Sequence, residues 1–181
     1  MDDIGDFPTR KHLPHTPPVC VSQYAVGAQY FITICADRRH YGIIDGGIGI
    51  CRPTTVGRVI PNAPTTTHSP LTDANNAIRL LLALDHYRAK GTFFPRLAVV
   101  MPDHLHLVAS FAEDVVMSQL IRGWKRWTAK ETGIVWQDGF FDHRLRNDAE
   151  VAEKMDYVAN NPVRKGLCET AEDWPFRMTW R

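Results

Sequence analysis

The chain has 181 residues, a length that favours one domain large enough to bury a hydrophobic core. Hydrophobic residues make up 44% and charged residues 23% of the sequence, so neither a disordered chain nor a coiled coil is the leading class. Lysine and arginine together number 21 against 20 acidic residues, and this balance does not indicate a broadly basic nucleic-acid binder. Eight histidines are a mild excess.

No segment of the sequence is typical of export or membrane insertion. The first residues are acidic and lack an apolar run, and no stretch approaches the ~20 apolar residues of a spanning helix. The four cysteines, at Cys20, Cys35, Cys51 and Cys168, are scattered without a C-x-x-C pair, which favours reduced thiols over disulfides or a structural zinc site. We therefore expect a cytoplasmic protein with no membrane partner.

The first half of the chain predicts an arm, a strand, an insertion and a helix. Residues 1–28 mix proline, histidine and charge without periodicity, as in an arm that lies over a domain. Tyr30–Cys35 is rich in β-branched and aromatic residues and predicts the first strand. Glycines and a Pro/Thr-rich stretch predict a loop or β-ribbon insertion over 42–70. A helix is predicted at Asp73–Lys90. Its apolar residues near helical spacing are Ile78, Leu81, Leu82 and Ala89.

The next elements alternate between strand and helix. Arg96–Met101 and His104–Ser110 predict a hairpin whose turn is Pro102-Asp103. The spacing of apolar residues predicts a helix at Met117–Lys130 that stops near Gly133. Ile134–Phe141 then predicts a further strand.

A third helix follows the last predicted strand. Asn147 and Glu150 resemble a capping box that opens it, and Pro162 should end it close to Asn161 because the residue before a proline resists the α region. The resulting order of strand, helix, strand, strand, helix, strand is that of the split βαβ motif. The predicted class is therefore α+β, with a ferredoxin-like (RRM-like) antiparallel sheet and an additional C-terminal helix, in one domain at 29–181.

Two histidines share one face of a predicted strand. Residues two apart in a strand point to the same side, so His104 and His106 project together while Leu105 faces the opposite layer. Two imidazoles on one face supply half of a metal site. The pair alone is a weak motif, and a surface or hydrogen-bonded pair of histidines explains it equally well.

The third helix offers a hydroxyl and a carboxamide that could complement those imidazoles. Its apolar stripe consists of Val151, Met155 and Val158. Tyr157 lies outside the stripe, on a polar face shared with Glu150, Lys154 and Asn161. Tyr157 and Asn161 are four residues apart and should be neighbours on the helix surface. An amphipathic tyrosine and a helix-terminal asparagine are the alternatives that need no ligand.

The combination of these motifs resembles a known family. Met101–Leu107 followed by Tyr157–Leu167 looks like the single-tyrosine HUH transposases, particularly the REP-associated tyrosine transposases. The similarity covers most of the chain from about residue 10 onward. Supporting segments are Tyr30–Thr33, Trp136-Gln137, Phe141–His143, Arg146 and Asp173–Pro175.

The resemblance implies a site and a reaction. His104 and His106 would be the HUH histidines, Asn161 the third metal ligand and Tyr157 the nucleophile that forms a 5′-phosphotyrosine link on single-stranded or hairpin DNA before strand transfer. Two imidazoles and one amide oxygen leave open positions that suit Mg²⁺ or Mn²⁺. The sequence departs from the family at Asp103, where many relatives carry asparagine, and we expect Asp103 to face away from the histidines.

Basic residues on the second helix are candidates for phosphate contacts. That helix carries Arg122, Lys125, Arg126 and Lys130 without an acidic residue between Ser118 and Lys130. Trp127 could stack on an unpaired base, and a solvated helix face with the tryptophan in the core is the alternative. Further DNA-binding candidates are Lys154, Arg164, Lys165, Arg10 and Lys11. We expect His143 to be structural or to contact DNA, and not to bind the metal.

Other functional classes compete with this interpretation. A non-catalytic single-stranded nucleic-acid-binding module would use the same sheet without needing Tyr157 and Asn161. A metal-dependent hydrolase would require a carboxylate ligand and a water-activating base. A domesticated transposase that binds DNA without moving it fits the same residues, as do both a monomer and a homodimer. The family resemblance implies a bacterial, nucleoid-associated protein.

Overall fold

The computed structural model describes residues 27–41 and 70–180. The predicted arm at 1–28 and insertion at 42–70, with Arg10 and Lys11, lie almost wholly outside them. Within the described ranges, no helix is both long and apolar enough to cross a membrane. In chain order the elements are β1 (Gln29–Cys35), α1 (Arg38–Tyr41), α2 (Ala74–Ala89), β2 (Phe93–Val100), β3 (His104–Phe111), α3 (Met117–Thr132), β4 (Phe141–Leu145), α4 (Asp148–Ala159), α5 (Asn161–Arg164), a 3₁₀ turn (Ala171–Asp173) and β5 (Arg177–Thr179).

The five strands form one antiparallel sheet in the order β4-β1-β3-β2-β5. The first four have the arrangement of a split βαβ motif, which confirms the predicted α+β, ferredoxin-like class. Two short elements were not predicted from the sequence: the edge strand β5, which pairs with β2, and the helix α1. Strand β3 lies at the centre of the sheet, and both of its faces are covered by other parts of the protein. The side chains of β3 are therefore buried, including those at the candidate site.

The two faces of the sheet bury separate hydrophobic cores. Every residue of β3 is buried, and alternate side chains point to opposite layers. Leu105 and Leu107 belong to the first core, between the sheet and helices α2 and α3. The second core lies on the other face and includes Val108 of β3 and Val158 of α4. The period of two therefore places His104 and His106 on the α4 side of the sheet.

Helix α2 confirms the predicted helix and buries only some of its apolar residues. Asp73 caps its first turn by accepting a hydrogen bond from the Asn76 backbone N–H. Of the apolar residues whose spacing predicts this helix, Leu81 is buried, whereas Ile78 and Leu82 are 54% and 55% exposed. The helix carries more apolar residues than one face can bury, and packing against α3 and β2 selects a stripe that sequence spacing alone did not separate. The buried residues are Ala77, Leu80, Leu81, Ala83 and Leu84.

The strand predicted at Ile134–Phe141 is also wrong, since β4 begins only at Phe141. Ile134 is buried in the first core, and Trp136 makes an isolated bridge to Ala36 while its indole N–H donates to Thr128 Oγ1. β-Branched and aromatic residues here close the end of the core instead of extending the sheet. The Lys125 ammonium donates to the carbonyl oxygens of Gln137 and Gly139, which holds this segment against α3.

Helix α4 begins close to the predicted cap and ends before the proline. Asn147 Oδ1 accepts from the Glu150 N–H, while Glu150 Oε2 accepts from the N–H of Arg146, one residue earlier than in a capping box. The helix ends at Ala159, and Pro162 lies in the first turn of α5, where its missing N–H costs nothing. Tyr157 and Asn161 consequently lie on two consecutive helices.

Candidate functional site

The centre of the candidate site is the histidine pair of β3. Both rings are buried, and their Nε2 atoms lie 3.0 Å apart, with the ring centroids separated by 4.4 Å. Register pairs Thr33 with His106 and Cys35 with His104, so β1 forms one wall of the site. The two Nε2 atoms therefore face a common space on the α4 side of the sheet.

The opposite nitrogens of both rings are held by hydrogen bonds. Asp103 Oδ1 lies 2.6 Å from His104 Nδ1, and Thr33 Oγ1 lies 3.0 Å from His106 Nδ1. With a proton on each Nδ1, the rings donate to these oxygens and leave both Nε2 lone pairs available to a ligand. The expectation that Asp103 faces away from the histidines was wrong. Asp103 precedes the strand, so the alternation of β3 does not set its direction.

Burial also selects the neutral form of His106. Desolvation, followed by the neighbouring His104, lowers the pKa of His106 from 6.5 to about 3, with Lys165 acting in the same direction and Asp103 opposing it. A neutral imidazole is the form that binds metal ions. His106 is thus a neutral imidazole across the physiological range.

Asn161 is the third polar group at this point. It is 3% exposed, and its Nδ2 lies 3.3 Å from His106 Nε2. Its Oδ1 is buried and has no hydrogen-bond partner among the described residues. A buried carboxamide oxygen without a partner costs about 1–3 kcal/mol, and a half-turn of the amide would direct this oxygen toward the histidine pair.

The Tyr157 ring lies beside the histidine pair, where α4 packs over β3. Its centroid is 6.0 Å from that of His106 and 6.1 Å from that of Phe31. Two cations approach the ring, with Arg164 Cζ 4.9 Å and Lys154 Nζ 5.4 Å from its centroid. The half-buried tyrosine is therefore next to both the histidines and a local positive charge.

This donor set fits a divalent cation. The described residues contain no cluster of three or more His, Cys, Asp or Glu side chains of the kind that holds a metal, so a third ligand must be of another type. The orphaned oxygen of Asn161 would supply one, and two imidazoles with one amide oxygen would suit a Mn²⁺ or Mg²⁺ ion that keeps open positions. Asp103 and Thr33 would act in an outer shell that fixes the ligand rings.

The basic residues of α3 lie on the other side of the sheet from the histidine pair. Arg122, Arg126 and Lys130 are exposed, whereas the buried side of α3 packs into the first core. Lys125 is half-buried and already donates to two carbonyl oxygens, and burial lowers its pKa. Of the predicted DNA-binding residues within 27–41 and 70–180, those near Tyr157 or His106 are Lys154, Arg164 and Lys165.

Comparisons with known proteins place this chain in a family. A protein of Haemophilus influenzae named as a REP-associated tyrosine transposase is 30% identical over 131 residues, which cover 61% of this chain and 71% of that relative. The chain belongs to the REP-associated tyrosine transposase family. A REP-associated tyrosine transposase of Escherichia coli is 33% identical over 81 residues, covering 43% of this chain and 49% of the relative. No family model matches the chain.

A solved structure shares the fold. The structure of a REP-associated tyrosine transposase bound to a REP hairpin has a TM-score of 0.60 and 23% identity, and the match covers 88% of this chain and 81% of that one. Tyrosine transposases cleave and join DNA strands, so membership of the family assigns the chain to this enzyme class. The family also indicates a divalent metal ion in general.

Two further aromatic residues, Phe31 and Phe141, lie on the site face of the sheet and were not predicted as site residues. Phe31 contacts His106, Tyr157 and Phe141, with ring centroids 5.2, 6.1 and 6.2 Å away. Phe141 is 57% exposed on the edge strand β4. Both belong to segments that resemble the REP-associated tyrosine transposases, but only the register of β1 with its neighbours reveals that their side chains share the face of His106.

Proposed function

We propose that this protein is a metal-dependent transposase of single-stranded DNA in which Tyr157 is the nucleophile. The observation that carries the proposal is the convergence of the His104, His106 and Asn161 side chains, with the Tyr157 ring 6.0 Å from the ring of His106. A divalent cation held by these three ligands would neutralise charge on a scissile phosphate and polarise its P–O bonds.

Side chains of the protein carry out the other steps of the proposed reaction. Tyr157 Oη attacks the phosphorus and loses its proton to solvent, while the bond from phosphorus to the DNA 3′-oxygen breaks and that oxygen takes a proton from solvent to leave as a hydroxyl. The product is a 5′-phosphotyrosine. In strand transfer, a DNA 3′-hydroxyl attacks this phosphorus and loses its proton to solvent, while the bond from phosphorus to Tyr157 Oη breaks and that oxygen takes a proton from solvent. Arg164 and Lys154, which approach the tyrosine ring, are placed to bind non-bridging phosphate oxygens.

Hairpin DNA is the proposed substrate. The structural neighbour at 23% identity is bound to a REP hairpin, and the two chains share their fold over most of their lengths. We assign phosphate contacts to the exposed basic residues of α3 and to Lys165, and we place the activity at the bacterial nucleoid. Arg10 and Lys11 remain candidates for contacting the hairpin from the arm.

Covalent trapping with end-labelled DNA tests the proposal. Full-length protein is mixed with Mn²⁺ and a single-stranded hairpin oligonucleotide labelled at either end, and products are separated under denaturing conditions. Because the 5′-phosphate end joins the tyrosine, only the 3′-labelled DNA should migrate with the protein, and the 5′ label should be released on a shorter strand. Tyr157→Phe should abolish the adduct, whereas Tyr87→Phe on α2 should retain it.

Two results would overturn this mechanism. An adduct that survives Tyr157→Phe excludes Tyr157 as the nucleophile, and an adduct that carries the 5′ label excludes the stated polarity. Binding of the hairpin without any adduct would instead favour a domesticated, non-catalytic DNA-binding protein.

A further inference from the structure

An exposed aromatic side chain lies on the same face of the sheet as the candidate site. Thr33 of β1 is in register with His106 on one side and with Phe141 of β4 on the other. Directly opposed residues of antiparallel strands project to the same face, so the side chains of Phe141, Thr33 and His106 form one row across the sheet. Two strand spacings, about 10 Å, separate the ends of this row.

Phe31 links the exposed ring to the site. The Phe31 ring is 6.2 Å from that of Phe141 and 5.2 Å from that of His106. It is buried against the second core, whereas Phe141 at the sheet edge is 57% exposed. Phe141 therefore offers an exposed aromatic face within reach of the site, which is what stacking of an unpaired base requires.

No acidic side chain of β4 lies on the site face, and the nearby ammonium of Lys154 is 3.9 Å from Oε1 of the exposed Glu153. The side chains of β4 on the site face are Phe141, His143 and Leu145, since Asp142 alternates to the opposite face. Lys154 Nζ lies 5.9 Å from the Phe31 centroid and 5.4 Å from that of Tyr157. An unpaired base on Phe141 would therefore be joined to a backbone that runs past cations toward Tyr157.

We propose that Phe141 is the stacking platform for an unpaired DNA base next to the scissile phosphate. The inference rests on the proposed function, because the strand must reach Tyr157. Stacking on an aromatic ring tolerates any base, so Phe141 contributes affinity and holds the strand in register without reading its sequence. Trp127, the aromatic residue first considered for this role, is 46% exposed on α3 and is separated from Tyr157 by the sheet.

A thermodynamic cycle between the side chain and the base tests this proposal. All variants are made in a Tyr157→Phe background, so that the DNA stays intact, and are titrated with a fluorescent DNA hairpin bearing a short single-stranded arm. Phe141→Ala should weaken binding about 5- to 100-fold. An abasic nucleotide, moved along the arm, should cause a similar loss at one position, and the two changes together should cost little more than either alone.

Matched variants separate stacking from general effects. Phe141→Trp should restore affinity, and Trp127→Ala and Ile78→Ala, which remove exposed apolar side chains from the other side of the sheet, should leave the cycle unchanged. The proposal would be overturned if the effects of Phe141→Ala and the abasic site were additive. It would also be overturned if Trp127→Ala, and not Phe141→Ala, were non-additive with the abasic site.

If the Tyr157→Phe protein does not bind the hairpin and the wild type forms no adduct, the proposed function falls as well. If the adduct forms but Phe141→Ala binds normally, only this inference fails.

Discussion

Asn161 places its side-chain amide 3.3 Å from His106 Nε2, although 55 residues separate the two in sequence. The contact joins the start of α5 to the central strand β3. It brings together the Tyr157–Leu167 and Met101–Leu107 segments, which carry the resemblance to the family. Asn161 is buried, yet its Oδ1 has no partner among the described residues. A polar group kept in this state is consistent with a ligand that completes its bonding.

Replacing Asn161 tests its role as a ligand. Asn161→Ala should weaken Mn²⁺ binding by at least about 10-fold, because one of three protein ligands is lost. Electron paramagnetic resonance of free Mn²⁺ measures the affinity without DNA. Asn160→Ala is the matched control, since that side chain bonds only to Asp156 in the contacts seen. Equal affinities in both variants would remove Asn161 from the metal site.

Asp103 should raise the affinity of the site for a metal ion without contacting the ion itself. Its carboxylate 2.6 Å from His104 Nδ1 fixes the ring and increases the electron density on Nε2. Asp103→Asn keeps the shape but removes the charge, and should lower Mn²⁺ affinity about 10- to 100-fold. Asp114→Asn, in an exposed turn, should not change it. Unchanged affinity in Asp103→Asn would show that the carboxylate does not act through His104.

The alternation of β3 could be predicted from sequence, whereas the surroundings of its histidines could not. A period of two requires His104 and His106 to share a face whatever the rest of the fold does. Thr33 reaches His106 only through the register of β1 with β3, which no local pattern encodes. The direction of Asp103 depends on a turn, where side chains follow no period.

Tertiary packing explains why the sequence did not predict the position of α3, the start of β4 or the end of α4. The sequence predicts that α3 is basic on one side, but not which face of the sheet it covers, so Arg122 and Arg126 could not be placed relative to Tyr157. Ile134–Phe141 has strand-like composition, but β4 starts only at its last residue because the earlier residues close the core. Tyr157 and Asn161 were expected on one helix, and the break at Asn160 still leaves both at the histidine pair.

Acid should destabilise the metal-free protein through His106. In the unfolded chain this ring gains a proton near its ordinary pKa of 6.5, whereas in the folded protein it does so only near 3. The unfolded state therefore binds more protons between these values, so this contribution to the free energy of unfolding is complete above pH 6.5 and is lost progressively down to about pH 3. Urea denaturation across that range should show a shallower pH dependence for His106→Gln than for the wild type. Identical slopes would contradict the neutral, buried imidazole.

Arg164 should assist the chemical step. Its guanidinium, 4.9 Å from the Tyr157 ring centroid, both restrains the ring and offers donors to phosphate oxygens. Arg164→Ala should slow adduct formation at saturating DNA about 10- to 100-fold, and Arg164→Lys should recover part of that loss. Arg88→Ala, on the exposed surface of α2, is the control. A rate unchanged by Arg164→Ala would show that Arg164 takes no part in the chemical step.

The basic side chains of α3 should separate into two groups. Arg122 and Arg126 are exposed, so alanine at either position should weaken hairpin binding uniformly across sequences and reduce the salt dependence by about one phosphate contact. Neither change should slow cleavage at saturating DNA, because the sheet lies between α3 and Tyr157.

Lys125→Ala should instead lower the free energy of unfolding by about 1–3 kcal/mol, since the carbonyl oxygens of Gln137 and Gly139 lose their charged donor. Salt titrations of binding and urea denaturation, measured on the same variants, distinguish the groups. A salt slope altered by Lys125→Ala with no change in stability would contradict this division, and it would return Lys125 to the DNA-binding surface.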